Sequence, residues 1–188
     1  MCGIVAIINK NGRPVELEVL SRMADKLKHR GPDDEGHLIY GSVGFYHKRL
    51  SIIDLISGQQ PMTSGPASIV FNGEIYNYIE LRDTLKNLGH SFKTTSDTEV
   101  ILHMYLEYGL DFISHLNGMF AFLLYDREQK QIIAARDHFG IKPLYFYVDN
   151  DHLVFASEIK AILEHPAVVA EPDYKSSVSE NRPEIHAN

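Results

Sequence analysis

The chain opens with Met1-Cys2-Gly3-Ile4-Val5-Ala6-Ile7-Ile8, and the reading of this stretch decides the fold. Residues 2–8 are an unbroken apolar run rich in Ile and Val, the pattern of a strand covered on both faces. No basic segment precedes the run and no small-residue cleavage site follows it. It therefore reads as the first strand of a core rather than as a signal peptide. The chain's only cysteine stands at the head of this strand. If Met1 is removed, Cys2 carries both a thiol and a free α-amino group. That amine has an ordinary pKa of roughly 7.7–8, so much of it is neutral near pH 7. Nucleophile and base would then come from one residue, with no histidine required. A lone cysteine can equally be a small buried hydrophobe or part of a frayed end, and Cys2 by itself does not choose between these readings.

Further along, Asn9–Pro14 reads as a turn. Leu20, Met23, Ala24 and Leu27 then recur at helical spacing, which predicts an amphipathic helix over 15–28. His29–Gly36 is a polar loop punctuated by Gly31, Pro32 and Gly36. Strands are predicted at 37–40, 43–47 and 67–72, with a long loop from Leu50 to Pro66 of the kind that often carries function. Asn77 with Glu80 has the form of a capping box, and Tyr78, Leu81, Leu85 and Leu88 supply the buried stripe of the helix it opens, closed by Gly89. Ser96 with Glu99 repeats the signature. There Val100, Ile101, Met104, Tyr105 and Tyr108 make one helical face, ended by Gly109. A short helix is expected around 110–116. Strands follow at 118–125, 131–136, 143–148 and 152–156, the last two joined by the turn Asp149-Asn150-Asp151. A final short helix spans 157–164 and stops at Pro166.

Helices cluster in 77–116 with strands mainly before and after. This favours a layered α+β fold over a doubly wound parallel sheet. Residues 171–188 are polar without apolar periodicity, so the domain is expected over 1–165 and a flexible tail over 166–188.

At 188 residues, 44% hydrophobic and 23% charged, the chain suits one globular domain large enough to need no staples. A single cysteine excludes an intrachain disulfide framework and fits a reducing, cytoplasmic setting. The net charge of −7, from 18 basic and 25 acidic residues, argues against nucleic acid or an anionic membrane as main partner. No stretch approaches the roughly 20 apolar residues of a membrane span. The chain has no phosphate-binding GxxxxGK, no GxGxxG, no HExxH and no Gly-x-Ser-x-Gly elbow. Its 10 histidines are scattered without metal-ligand spacing.

Several ordered segments carry more. They are Cys2-Gly3-Ile4, His29-Arg30-Gly31-Pro32-Asp33, Arg49-Leu50-Ser51-Ile52-Ile53-Asp54, Asn72-Gly73-Glu74-Ile75-Tyr76-Asn77, Ser96-Asp97-Thr98-Glu99, and Arg136-Asp137-His138-Phe139-Gly140-Ile141-Lys142-Pro143-Leu144-Tyr145. Together they resemble the glutaminase domain of asparagine synthetases, a class II glutamine amidotransferase of the N-terminal-nucleophile hydrolase type, over residues 2 to about 165. The forms NGEIYN and RLSIID resemble asparagine synthetase more than the amidotransferases of purine or glucosamine synthesis.

The resemblance implies a four-layer αββα sandwich of two antiparallel sheets and hydrolysis of L-glutamine to glutamate and ammonia without a cofactor. It implies Cys2 as nucleophile, with the Asn72 side-chain amide and the Gly73 N–H as the oxyanion hole. Arg49 matches the clamp on the substrate carboxylate, Asp97 the partner of its α-ammonium, and Glu74 is placed to assist. The chemistry fits these roles: a guanidinium binds two oxygens at once, and a glycine lets backbone approach the ligand. Locally, Asn-Gly is also a common turn pair, and Asp97 also suits a helix N-terminus. His29–Asp33 and Arg136–Tyr145 read as mainly structural. Arg136 beside Asp137 suggests an ion pair, and Arg30 is a second candidate for ordering the glutamine loop.

Asparagine synthetases carry a second, ATP- and Mg-using domain with a Ser-Gly-Gly-x-Asp-Ser loop, and no such motif occurs here. The resemblance thus implies an ATP-dependent synthetase domain or subunit as partner. It leaves open whether the chain is a fragment, a truncated product or a free-standing subunit, and whether it forms a homo-oligomer. Two further readings stay open: a non-catalytic module that binds glutamine or docks to a synthetase, and a hydrolase of another amide.

Overall fold

The computed structural model describes residues 1–51 and 58–170. Ile52, Ile53 and Asp54 of the RLSIID segment, and the tail from Glu171 on, lie outside the described residues. The first sheet contains β1 (Gly3–Asn9), β2 (Asp34–Tyr40), β3 (Val43–Arg49), β8 (Tyr145–Val148) and β9 (His152–Ala156), in the order β2-β3-β1-β9-β8. The second contains β4 (Met62–Ser64), β5 (Ala67–Ile75), β6 (Gly118–Asp126) and β7 (Gln131–Arg136), in that order. Every strand pairing among the described residues is antiparallel.

The continuous apolar run of β1 is explained by its central position in its sheet. Side chains alternate along a strand, so both faces of β1 need apolar residues. Ile4 and Ala6 pack between the two sheets with Val43, Phe45, Val70, Ala121, Leu123 and Phe155. Val5 and Ile7 point outward, onto Leu20, Met23 and Leu27 from helix α1 (Leu17–Asp25) and the turn after it. Ala161 and Ile162 of the short helix α4 (Ile159–Ile162) join that outer layer. On the far side, α2 (Tyr78–Asn87), α3 (Asp97–Tyr108) and a 3-10 helix (Gly109–His115) cover the second sheet. Their cluster takes the odd residues Ala67, Ile69, Phe71 and Ile75 of β5 together with Phe120, Phe122 and Leu124 of β6. The result is the expected αββα order of layers. Tyr147 of β8 donates to the Ala167 carbonyl at 3.2 Å, and Val168 packs on the outer cluster of the first sheet.

Several local expectations are corrected, each because a tertiary partner displaces a local one. Asn77 makes no cap bond to its own helix; its amide donates to the His115 carbonyl at 2.9 Å and accepts from Asn117 N–H at 3.0 Å, tying α2 to the 3-10 helix. Ser96 does cap α3, accepting from Thr98 N–H at 3.1 Å. Glu99, however, does not reach back to Ser96. It accepts from the backbone N–H groups of Lys93 and Thr94, both at 2.8 Å, and so fastens the preceding loop. Leu88, placed in the buried stripe of α2, is 51% exposed. Arg136 and Asp137 form no ion pair among the described residues. Arg136 Nε donates to the Lys142 carbonyl at 2.7 Å, and the Asp137 carboxylate collects the N–H groups of Phe120, Phe139, Ile141 and Lys142. Part of the long loop is β4, a strand too short to show alternation.

Candidate active site

Strand parity assembles the site. Even positions on β1 and odd positions on β3 face the second sheet, as Ile4, Ala6, Val43 and Phe45 show. Cys2, just before β1, continues the first series, and His47 and Arg49 continue the second. On β5 the even residue Val70 faces inward, and Asn72 continues that series. The apolar inter-sheet layer thus ends in a polar cleft. Cys2, Arg49, Asn72, Gly73, Glu74 and Asp97 all line it, so the residues singled out from the sequence come together. The cleft is open to solvent.

The Cys2 thiol lies 3.6 Å from the Leu50 carbonyl as donor and 3.4 Å from Leu50 N–H as acceptor. Burial pushes its pKa up, against the opposing pull of the Leu50 N–H and of nearby positive charge. A buried thiol of this kind stays protonated near neutral pH and needs a base to ionise it. Met1 lines the same cleft and is 52% exposed. With Met1 present, the Cys2 nitrogen is a peptide N–H and has no basic lone pair. Arg30, from the HRGPD loop, holds the other end of the residue. Its Nε donates to the Cys2 carbonyl at 2.9 Å, and its Nη1 donates to Glu158 at 2.9 Å. A Cβ at Gly31 would come within 2.2 Å of the Lys48 carbonyl, so glycine is required for this loop to lie against β3 and deliver Arg30.

Asn72 is 2% exposed, and its Nδ2 finds no hydrogen-bond partner among the described residues. Buried donors are almost always paired, so an unpaired one aimed at a cleft marks a place for a ligand acceptor. Strand β5 is gripped just before it. Phe71 N–H donates to Gln60 Oε1 at 2.6 Å, and the Phe71 carbonyl accepts from His47 Nε2 at 3.2 Å. Gln60 also donates to Thr98 Oγ1 at 3.2 Å, which connects β5 to the start of α3. At Gly73 a Cβ would meet the Met119 carbonyl at 2.3 Å, so the β5–β6 approach admits only glycine.

Arg49 is 5% exposed at the end of β3. Asp97 is 3% exposed at the first turn of α3, and its Oδ2 accepts from Ile75 N–H at 3.0 Å. Burial raises the Asp97 pKa to about 6, assisted by the neighbouring Glu74 and opposed by the Ile75 and Thr98 N–H groups. The cleft thus has a cationic wall at Arg49, an anionic wall at Asp97 and Glu74, and a thiol with a bare amide donor between them. A molecule with a carboxylate, an ammonium and a carbonyl matches that charge arrangement.

Lys142, His47 and Gln60 also line the cleft and were not singled out from the sequence. A signal existed for His47, which stands two residues before Arg49 and so shares its strand face. Lys142 lay in a segment read as structural, and Gln60 in a loop without periodicity. No cluster of three or more metal-ligating side chains occurs among the described residues. No described helix is long and apolar enough to cross a membrane.

A two-sheet antiparallel sandwich with a cysteine at the head of its first central strand defines the N-terminal-nucleophile class of fold. Consistent with this, 86% of the chain superposes on the glutamine phosphoribosylpyrophosphate amidotransferase of Bacillus subtilis with a TM-score of 0.72, at 24% identity and over 43% of that chain. The family model described as "glutamine amidotransferase domain" matches residues 1–181, and the chain belongs to that family. Similar curated proteins include asparagine synthetase (glutamine-hydrolyzing) 2 of Bacillus subtilis, 44% identical over 96% of this chain and 24% of the relative. The putative asparagine synthetase 2 of Methanocaldococcus jannaschii is 39% identical over 99% of this chain and 39% of its own length. The amidase chyE of Penicillium rubens is 42% identical over 87% of this chain and 26% of its own length. The chain spans about a quarter of the length of its Bacillus subtilis relatives.

Proposed function

We propose that this chain hydrolyses L-glutamine to L-glutamate and ammonia through a Cys2 thioester, once Met1 has been removed. The observation that carries the reading is the convergence of Cys2, Arg49, Asn72, Gly73, Glu74 and Asp97 on one cleft from separate parts of the sequence.

Arg49 binds the substrate α-carboxylate, and Asp97 with Glu74 binds the α-ammonium, which presents the side-chain amide to Cys2. The freed α-amine of Cys2 takes the thiol proton, directly or through one water, and sulfur bonds to the amide carbon. With Met1 in place burial raises the thiol pKa, so the thiol calls for a base, and the amine freed by Met1 removal lies on the same residue. Negative charge gathers on the former carbonyl oxygen, where the Asn72 Nδ2–H and the Gly73 N–H receive it. As the C–N bond breaks, the amine returns its proton to the nitrogen and ammonia leaves. Water then attacks the thioester with the amine again as base, giving glutamate and the free thiol. Arg30 acts at one remove by holding the Cys2 carbonyl, which fixes the direction of both amine and thiol.

The ammonia would be used by an ATP-dependent domain or subunit of the asparagine synthetase type, where ATP and Mg would be needed. The relatives' length and names support that partner. Arg49 and Asp97 together require a free amino-acid end, which favours glutamine over amides lacking one. Glutamate release by the Met1-free protein, followed for wild type and Cys2→Ala with glutamine and with N-acetylglutamine, tests the reading. Turnover of glutamine alone, abolished in Cys2→Ala, is expected. Equal turnover of N-acetylglutamine would contradict the assignment of Asp97, and an active Cys2→Ala the assignment of the nucleophile. Glutamine binding without turnover in the Met1-free protein would instead favour a non-catalytic module.

A further inference from the structure

The buried side-chain nitrogens without a partner among the described residues are Arg30 Nη2, His47 Nδ1 and Asn72 Nδ2. His47 and Asn72 both line the Cys2 cleft. The oxyanion role uses Asn72, and nothing in the proposed chemistry uses His47 Nδ1.

His47 is 1% exposed. Its Nε2 lies 3.2 Å from the Phe71 carbonyl oxygen, which can only accept, so Nε2 carries the hydrogen. Burial pushes the imidazole down to about 4, with the Arg49 charge acting in the same direction and the Phe71 carbonyl opposing both. The ring is therefore neutral near pH 7, and Nδ1 presents a lone pair. A buried acceptor left unmatched is unfavourable, and a ligand N–H would relieve it.

Glutamine brings two kinds of N–H. Its ammonium is matched by Asp97 and Glu74, and its amide oxygen by Asn72 and Gly73, which leaves the carboxamide NH2. His47 shares the inward face of β3 with Arg49, stands opposite Ile4 of β1, and is tied to the residue just before Asn72. His47 thus lines the same cleft as Asn72 and Gly73, the donors for the amide oxygen, and the amide nitrogen is joined to that oxygen through a single carbon.

We propose that His47 is a specificity-determining residue of this pocket, whose Nδ1 accepts an N–H from the scissile carboxamide. The proposal rests on the glutaminase reading. It selects substrates whose leaving group has N–H to donate, a primary amide over an ester.

The test compares glutamine with glutamate γ-methyl ester in the Met1-free protein, wild type and His47→Gln. A glutamine Nε2 can occupy the position of the imidazole Nε2, keeping the bond to Phe71 while its remaining acceptor, Oε1, is moved off the position of the imidazole Nδ1. The expected result is an about 10–100-fold loss of kcat/KM for glutamine with the ester changed by no more than about threefold, so that the preference collapses. A purely structural role would slow both substrates alike, and an unchanged preference overturns the proposal. The second measurement leaves His47 intact: the Nδ1 resonance by 15N NMR in Cys2→Ala should move upfield with glutamine and stay in place with the ester. No shift, or equal shifts, overturns it, also where His47→Gln fails to fold. A wild-type Met1-free protein that cleaves neither substrate overturns the glutaminase reading itself, a result distinct from an active enzyme with unchanged preference.

Discussion

Replacing Asp97 with asparagine should make the protein more stable and a worse binder of glutamine. The side chain is 3% exposed and its pKa is raised from 3.8 to about 6, mainly by burial. A tenfold change in an acid's ionisation constant corresponds to about 1.4 kcal/mol, so the ionised carboxylate costs the fold up to about 3 kcal/mol above pH 6. Below about pH 3 the carboxyl is neutral in both folded and unfolded chains and the penalty is absent. Between these limits the unfolded chain ionises first, unfolding releases a proton, and stability falls as pH rises. The carboxamide introduced by Asp97→Asn would still accept from Ile75 N–H but would not titrate. Urea unfolding of wild type and variant should therefore give matching stabilities near pH 3 and a gap of about 1–3 kcal/mol in favour of the variant near pH 7.5. The substrate ammonium favours the ionised form, so the wild-type KM for glutamine should climb as pH falls through about 6, while the variant shows a high KM that does not respond to this group. A variant less stable than wild type near pH 7.5, or stabilised equally at both pH values, would refute the reasoning.

The remaining tests address the oxyanion hole and the core separately. Asn72→Ala removes one of two donors and should lower kcat about 10²–10³-fold with a smaller change in KM, measured by glutamate release. Tyr105→Phe deletes the buried 2.8 Å hydrogen bond from the Tyr105 hydroxyl to Asp126. It should cost about 1–3 kcal/mol in denaturant unfolding and leave kcat/KM unchanged, because Asp126 lines no part of the cleft. The Asp126 carboxylate keeps the N–H groups of Glu128 and Gln129, at 2.8 and 2.9 Å, which limits the loss.

What the sequence made legible follows from periodicity. The run from Cys2 to Ile8 announced a strand with two apolar faces, and β1 has them because helices lie outside its sheet and a second sheet inside. The glutamine-binding candidates were legible because the ordered segments containing Arg49, Asn72, Gly73 and Asp97 resemble one family, and parity then explains how Arg49 and Asn72 come to face Cys2. The supporting contacts were not legible. Arg30 on the Cys2 carbonyl and His47 with Gln60 on Phe71 join residues distant in sequence, and no local pattern encodes them. The same cause undid the Asn77 capping box. An asparagine at a helix start also suits a bond to a neighbouring helix, and here His115 and Asn117 provide it. Glu99 likewise spends its oxygens on Lys93 and Thr94, whose N–H groups would otherwise be left unpaired in the loop before α3.

The central claim is that one residue supplies both nucleophile and base, and only after Met1 leaves. Intact-mass analysis and a glutaminase assay on the same samples, with Met1 removed to different extents by a methionine aminopeptidase, test it most directly. The account predicts glutamate release in proportion to the fraction of chains beginning at Cys2, and none from chains that keep Met1. Full turnover by protein that retains Met1 would contradict it, because the Cys2 nitrogen would then be a peptide N–H and the base would have to lie elsewhere.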